Sequence, residues 1–109
     1  MRDYVPGTVF IAAVPFDERR GAKRRPVVLV GSPAYRGRDE SAVVCPITSA
    51  QHRPEDVGID WRAANLPRPS LVRPRPRVLP KTDLDWRIGV LGEQDLAALK
   101  RALRKTLDL

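Results

Sequence analysis

Short apolar runs, each closed by a proline, a glycine or a polar loop, dominate the first half of the chain. Three of them, at residues 8–14, 27–31 and 41–47, are rich in valine and isoleucine and have the length of β-strands. A fourth candidate strand covers residues 57–61, and a last one covers residues 87–91. The pattern therefore predicts several short strands joined by polar loops.

The apolar spacing becomes helical at the end of the chain, over residues 93–107. This helix carries one apolar stripe, made of Leu96, Leu99, Leu103 and Leu107. Strands followed by one terminal helix predict a mainly β fold, in which a small, strongly curved antiparallel sheet or barrel packs on a C-terminal helix. Because the chain has 109 residues, we expect a single domain that covers residues 1–109.

Residues 62–81 are unusual because they carry six basic residues, five prolines and no acidic residue. The prolines exclude a helix or a central strand over most of this segment, but short extended pieces near residues 70–73 and 77–79 remain compatible with them. Two of the prolines alternate with the last three arginines of the segment and stiffen its backbone there. We expect these arginines to project as a fixed cationic strip that no local acidic residue neutralises: Arg73, Arg75 and Arg77.

The formal net charge of +7 narrows the choice of partners. Such a field attracts polyanions, of which nucleic acid is the commonest soluble one, and an acidic protein partner is the alternative. One cysteine and one histidine exclude an internal disulfide framework and the ordinary Cys/His zinc sites. We see no signal peptide and no membrane-spanning run, so we expect a cytoplasmic protein that does not bind a membrane.

A cluster of cations, Lys23-Arg24-Arg25, runs directly into the apolar strand at residues 27–31. Pro26 lacks an N–H and suits the first residue of a strand, so Arg25 is expected at the mouth of a rigid element. A cation held at the edge of a core suits a phosphate-handling site. A solvated basic loop is the alternative.

Several segments, taken in order, cover nearly the whole chain and resemble the MazF/PemK family of bacterial toxins. They are Gly7-Thr8-Val9, residues 23–30, residues 43–49, Ser70-Leu71-Val72-Arg73 after the turn at Asn65-Leu66, and Ile88-Gly89-Val90-Leu91. The most specific are the Arg25-Pro26-Val27 strand and the strand end Pro46-Ile47-Thr48-Ser49. The chain departs from the family pattern at Thr8 and at residues 73–81, which alters the expected substrate face.

The resemblance implies an SH3-like small antiparallel β-barrel of the MazF/PemK/CcdB-like type, assembled as a homodimer. It implies a toxin of a type II toxin–antitoxin system that acts as a metal-independent, sequence-selective endoribonuclease, or mRNA interferase. Such an enzyme cleaves single-stranded RNA, inhibits translation and growth, and needs no cofactor. It also implies a cognate antitoxin protein that blocks the RNA groove.

RNA carries its own nucleophile, the 2′-hydroxyl, so a nuclease without metal needs a cation and a hydrogen-bond donor at one phosphate. The resemblance assigns these catalytic roles to Arg25 and Thr48. Because free arginine stays protonated far above neutral pH, we favour an electrostatic role for Arg25 over that of a base. His52 is the rival acid or base, because imidazole titrates near neutrality; an exposed loop histidine is the alternative.

The candidates for binding the RNA are basic or hydroxyl-bearing: Arg19, Arg20, Lys23, Ser49, His52, Ser70, Arg73, Arg75 and Arg77. Glu55, Asp56 and Asp60 offer a two-metal nuclease as an alternative, although their spacing is also that of ordinary surface charge. Two further functions stay open: a non-catalytic toxin that acts on a protein such as DNA gyrase, and a plain RNA-binding barrel module.

Overall fold

Seven β-strands and one α-helix make up the computed structural model, which describes residues 4–15, 20–31 and 41–109. They are β1 (Thr8–Pro15), β2 (Ala22–Gly31), β3 (Ser41–Thr48), β4 (Val57–Gly58), β5 (Leu71–Val72), β6 (Arg77–Pro80), β7 (Leu84–Val90) and α1 (Glu93–Leu107). One turn of 3₁₀ helix, Lys81–Asp83, precedes β7. The predicted fold class, mainly β with a C-terminal helix, is confirmed.

The strands form one antiparallel sheet in the order β4-β5-β3-β2-β1-β7, and β6 branches from it. Both β5 and β6 pair with β3: β6 with its first half and β5 with its last two residues. Within the described part of the chain, β4 and β7 end this strand order, and β6 pairs only with β3. The architecture is thus barrel-like but open.

The three long strands are buried on both faces, which explains their nearly continuous apolar runs. Alternate side chains enter two separate clusters on opposite faces of the sheet. The first core lies under α1 and includes Val9, Val28, Cys45, Ile47, Leu66 and Leu99. The second core lies on the other face and includes Phe10, Val27, Leu29, Val44, Leu79 and Leu84.

Strand β2 is longer than predicted, because it begins at Ala22 and not at Val27. Arg25 is the fourth residue of this strand and pairs with Ala12 of β1, so its expected position at the strand mouth was wrong. The exposed half of β2 is held by its backbone pairing with β1, and its side chains give no apolar signal. Helix α1, in contrast, covers the predicted residues.

The turn before β5 approaches β7 too closely for a side chain. A Cβ on Gly89 would lie 2.2 Å from the carbonyl oxygen of Ala64. The side-chain amide of Asn65 donates to the backbone carbonyl of Ile88 at 2.7 Å, and this bond holds the turn against β7. Glycine at position 89 is therefore required by close backbone packing.

A partly buried ion pair holds the loop between β3 and β4. The Nε of Arg73 donates to Asp56 Oδ1 at 3.1 Å and its Nη2 donates to Asp56 Oδ2 at 3.1 Å. The exposed fractions of the two side chains are 16% for Arg73 and 0% for Asp56. Residues 62–81 supply no acidic partner, as expected, but Asp56 of a distant loop neutralises Arg73. The expectation that Arg73 projects as part of a cationic strip was therefore wrong.

Burial favours a raised pKa for the Asp56 carboxyl, but the bonds from the Arg73 guanidinium and the Arg53 N–H outweigh it. The pKa of Asp56 is therefore held below its ordinary value. The same carboxylate, helped by Glu55, raises the pKa of Arg73 against the opposing effect of burial. Each member of the pair thus stabilises the charged form of the other.

Replacing Gly89 by alanine should destabilise the fold. The new Cβ meets backbone atoms and not a flexible side chain, so either the turn or β7 must shift. We expect a loss of about 1–3 kcal/mol in the free energy of unfolding, measured by urea denaturation. Gly58→Ala is the control: a Cβ there meets no atom of the described residues within 4 Å, and stability should stay within about 1 kcal/mol. Equal stabilities for the two variants would contradict the prediction.

The Arg73–Asp56 ion pair should make the free energy of unfolding depend on pH. Because the folded pKa of Asp56 lies below the unfolded value of about 3.9, its contribution is complete above that value. It is lost as the pH falls through the folded pKa. The gap in unfolding free energy between wild type and Asp56→Asn should therefore be largest near neutral pH and shrink in acid.

Urea denaturation from neutral pH to about pH 3 measures this gap. Glu55→Gln is the control, because it removes a neighbouring exposed carboxylate and leaves the Arg73–Asp56 bonds intact. A gap for Asp56→Asn that is constant over the whole range would show that this carboxylate does not couple folding to pH.

Candidate active site

The pairing of β2 with β3 brings Arg25 and Thr48 together. Val27 lies opposite Pro46 and Val28 lies opposite Cys45. Continuing this antiparallel register toward the end of β3 brings Arg25 opposite Thr48, and directly opposite residues share one face of a sheet. By the alternation along each strand, that face is the one that carries the second core.

Two open grooves meet at this pair. The first groove has a volume of about 270 Å³, and its walls include Val14, Pro15, Arg75, Pro76 and Arg77. The second groove has a volume of about 590 Å³, and its walls include Lys23, Ser49, Gln51, Leu66, Arg68 and Ser70. Arg25, Ile47, Thr48 and Arg73 line both grooves. These four residues therefore form the boundary between them.

Both grooves are cationic. Of the described residues that line them, none is acidic, and arginine lines each on more than one side. Arg25 is exposed although its backbone lies inside a paired strand. An accessible guanidinium on a paired strand shares this concave positive surface with a hydroxyl, so it attracts a phosphate group and offers it several donors.

The Thr48 hydroxyl is used locally. Its Oγ1 donates to the carbonyl oxygen of Ala50 at 2.7 Å and accepts from the N–H of Ala50 at 3.2 Å. These bonds close a tight turn, which continues into Gln51 with a φ of 50° in the left-handed region. A substrate oxygen must therefore replace the Ala50 carbonyl before Thr48 can donate to it.

The other predicted site residues divide by position. Five of them line a groove: Lys23, Ser49 and Ser70 the second, and Arg75 and Arg77 the first. Arg73, the remaining arginine of the predicted cationic strip, lines both grooves. Arg20 and His52 are exposed and line neither of these two grooves, and Arg19 lies outside the described residues.

Two of these residues have structural partners. The buried hydroxyl of Ser70 donates to the carbonyl of Arg68 at 2.8 Å, which closes a turn before β5. The Nη1 of Arg77 donates to the carbonyl of Pro15 at 3.1 Å, so this arginine also ties β6 to the end of β1. Their side chains therefore shape the groove walls.

Sequence reasoning missed three polar wall residues of the second groove: Arg24, Gln51 and Arg68. Arg24 belongs to the cation cluster next to Arg25, and its Nε donates to Asp85 at 2.7 Å. Arg68 belongs to the basic segment, so the charge signal that selected its neighbours also applied to it. Gln51 carries no such signal, because its role in the wall depends on the left-handed turn after β3.

The remaining reactive groups are held in structural roles. The Cys45 thiol is fully buried, and burial raises its pKa to about 12, against a smaller lowering by a backbone bond from Arg75. It therefore stays neutral and is not a nucleophile. Asp60 Oδ1 accepts from the N–H of Ala63 at 3.1 Å, and Asp56 is paired with Arg73. Among the described residues no three histidine, cysteine or acidic side chains come together as a metal site.

No helix among the described residues, α1 included, is long and apolar enough to cross a lipid bilayer.

Residues 6–107 match the family described as PemK-like, MazF-like toxin of type II toxin-antitoxin system. The chain is 33% identical over 93 residues to endoribonuclease MazF6 of Mycobacterium tuberculosis. The aligned region covers 81% of this chain and 82% of the relative. The solved structure of Mycobacterium tuberculosis toxin MazF-mt6 is 27% identical, with a TM-score of 0.69 over 92% of this chain and 97% of that one.

An endoribonuclease from a mycobacterial species, solved in complex with its cognate antitoxin, shares the fold. Its TM-score is 0.73 at 21% identity, over 100% of this chain and 97% of that one. The family match spans nearly the whole sequence, and it agrees with the resemblance that the motifs of β2 and β3 indicated. The chain belongs to the PemK-like, MazF-like toxins of type II toxin–antitoxin systems.

Proposed function

We propose that this toxin is an endoribonuclease that cleaves single-stranded RNA without a metal ion, with Arg25 and Thr48 as its catalytic residues. One observation carries the proposal: a guanidinium and a hydroxyl share the boundary of two cationic grooves. The 33% identity to relatives named endoribonucleases supports the same activity. Cleavage of messenger RNA accounts for inhibition of translation and growth, and it requires the toxin to act in the cytoplasm.

The reaction uses the 2′-hydroxyl of the RNA as nucleophile. The 2′ oxygen forms a bond to phosphorus while its proton passes to a base, and the bond from phosphorus to the 5′ oxygen breaks as that oxygen gains a proton. The products are a 2′,3′-cyclic phosphate and a 5′-hydroxyl. Negative charge grows on the phosphoryl oxygens, and the Arg25 guanidinium stabilises it with a permanent charge and several N–H donors.

Thr48 supplies a second donor to the same phosphate. When RNA binds, its hydroxyl turns from the Ala50 carbonyl to a phosphoryl oxygen, and the Ala50 N–H continues to hold Oγ1. Two converging donors on one phosphate give the directed stabilisation that a metal-free phosphoryl transfer needs.

The RNA strand runs through both grooves, with the scissile phosphate at their boundary. Lys23, Ser49 and Ser70 lie along one side of the cut, and Arg75 and Arg77 lie along the other. Arg20 and His52, together with Arg19, are candidates for contacts farther along the strand. Open grooves lined by polar and cationic side chains suit single strands, because unpaired bases can turn outward and bond individually.

The partners follow from the same surface. A cognate antitoxin of acidic or apolar character covers the grooves and blocks RNA, as charge complementarity favours. The single toxin domain assembles as a homodimer. The edge strand β7 supports this proposal, because its Trp86 and Val90 are large apolar side chains exposed to solvent.

Removing either catalytic group should abolish most cleavage without unfolding the protein. We expect Arg25→Ala and Thr48→Val to lower the cleavage rate of mixed-sequence RNA by about 100- to 1,000-fold each. The assay contains excess chelator and follows fragments on denaturing gels, and circular dichroism checks the fold. Thr48→Ser restores the hydroxyl and should recover most of the rate.

Arg104→Ala is the matched control, because it removes the same charge from an exposed position of α1 outside the two grooves. Intact RNA in chelator at every wild-type concentration would exclude the metal-free nuclease and favour a binding module. Wild-type rates in Arg25→Ala or Thr48→Val would move the chemistry to another site. A 2′-deoxy nucleotide at the mapped cut should block cleavage by wild type.

Arg75 should contribute to RNA affinity through the backbone. It is exposed on the wall of the first groove, where a phosphate contact releases counterions. Arg75→Ala should weaken binding of a single-stranded RNA and reduce the slope of log affinity against log salt by about 0.7. Arg104→Ala, on α1 and outside both grooves, should leave that slope unchanged. Identical slopes for the two variants would exclude the contact.

A further inference from the structure

Arg73 lies at the boundary of the two grooves, yet its Nε and Nη2 donors point into the protein. Its Nε and Nη2 bind the two carboxylate oxygens of Asp56, and Nη2 also donates to the carbonyl of Gln51 at 2.7 Å. Three of the five N–H donors of the guanidinium are thereby used. Its charge is matched at short range by a carboxylate that is out of contact with solvent.

The loop that Arg73 binds begins at the catalytic threonine. Residues 49–56 leave β3 at Thr48 and return to β4, and the two ends of this loop converge on one guanidinium. Asp56 also accepts from the N–H of Arg53 at 2.8 Å, which closes the second half of the loop. Gln51 holds a left-handed conformation that a residue other than glycine adopts only when its surroundings fix it.

The backbone of Arg73 is itself fixed to the site strand. Its N–H donates to the carbonyl of Pro46 at 2.9 Å, and the next residue, Pro74, is fully buried. The guanidinium therefore projects from a rigid base beside β3, and the loop is positioned relative to the strand that carries Thr48. A planar fork that binds a carboxylate through two bonds fixes orientation as well as distance.

We propose that Arg73 is a positioning residue, which sets the turn of Thr48 and the Gln51 wall of the second groove by holding loop 49–56, and that it does not track the RNA backbone. This inference rests on the proposed nuclease activity. Gln51 then presents its side-chain amide from a fixed backbone at the groove wall, where an amide can bond to the edge of an unpaired base.

Three substitutions separate a positioning role from a phosphate contact. Arg73→Lys keeps the charge that a phosphate would need but loses the two-bond geometry. Asp56→Asn releases the guanidinium and removes a negative charge. Arg73→Gln removes the cation altogether.

For a positioning role, all three variants should lower kcat by about 10- to 100-fold, the scale expected when a catalytic group is displaced by about an ångström. The salt slope of RNA binding should equal that of wild type, because no phosphate contact is lost. The double variant Asp56→Asn/Arg73→Gln should be no slower than either single one, because both changes break the same contact.

If Arg73 instead contacts an RNA phosphate, the three variants should give the opposite results. Arg73→Lys would keep its activity, Asp56→Asn would bind RNA more tightly with kcat unchanged, and Arg73→Gln would lower the salt slope by about 0.7. This pattern would overturn the inference.

A second measurement does not depend on cleavage. Amide hydrogen exchange at Ala50 and Arg53, whose N–H groups bond to Thr48 and Asp56, should accelerate in Arg73→Lys while β1 and β2 stay protected. Unchanged exchange in this loop would refute the positioning role. Absence of cleavage by wild type, with faster loop exchange in the variant, would instead remove the proposed function and leave the structural role standing.

Discussion

The register between β2 and β3 is the constraint on which the site depends. It places Val27 and Leu29 in the second core and Val28 in the first, and it brings the next polar position of each strand, Arg25 and Thr48, into opposition. A slip of one residue would turn Arg25 away from Thr48 and remove apolar side chains from both cores. Core packing and catalytic geometry are therefore specified by the same backbone pairing.

Much of the fold follows from local signals. Valine-rich runs marked the buried halves of β1, β2 and β3, and the leucine spacing of α1 marked the helix, because both patterns are created by burial within one element. The exposed half of β2 carries no such pattern. Its residues 22–25 are held as strand by β1, so the sequence favoured a loop there. The pair Arg25 and Thr48 was identified by resemblance, and the register supplies the geometric reason for their proximity.

The partner of Arg73 was beyond sequence reasoning for a different reason. Its charge and the prolines that follow it predict a projecting cation, and the absence of acidic residues in its own segment strengthens that prediction. Asp56 lies 17 residues earlier, on a loop whose course depends on how β4, β5 and β3 pair. Only tertiary structure shows that one cation of the basic segment is neutralised while Arg75 stays exposed.

Burial of Cys45 has a practical consequence. It is the one cysteine in the sequence, it is fully buried in the first core, and its thiol stays protonated at neutral pH. Thiol-reactive dyes need the thiolate and physical access, so they can modify the native residue only after the sheet opens. The labelling rate of the unmodified protein thus reports opening of the first core. A cysteine introduced on a groove wall could be labelled selectively in the folded state to follow RNA or antitoxin binding by fluorescence.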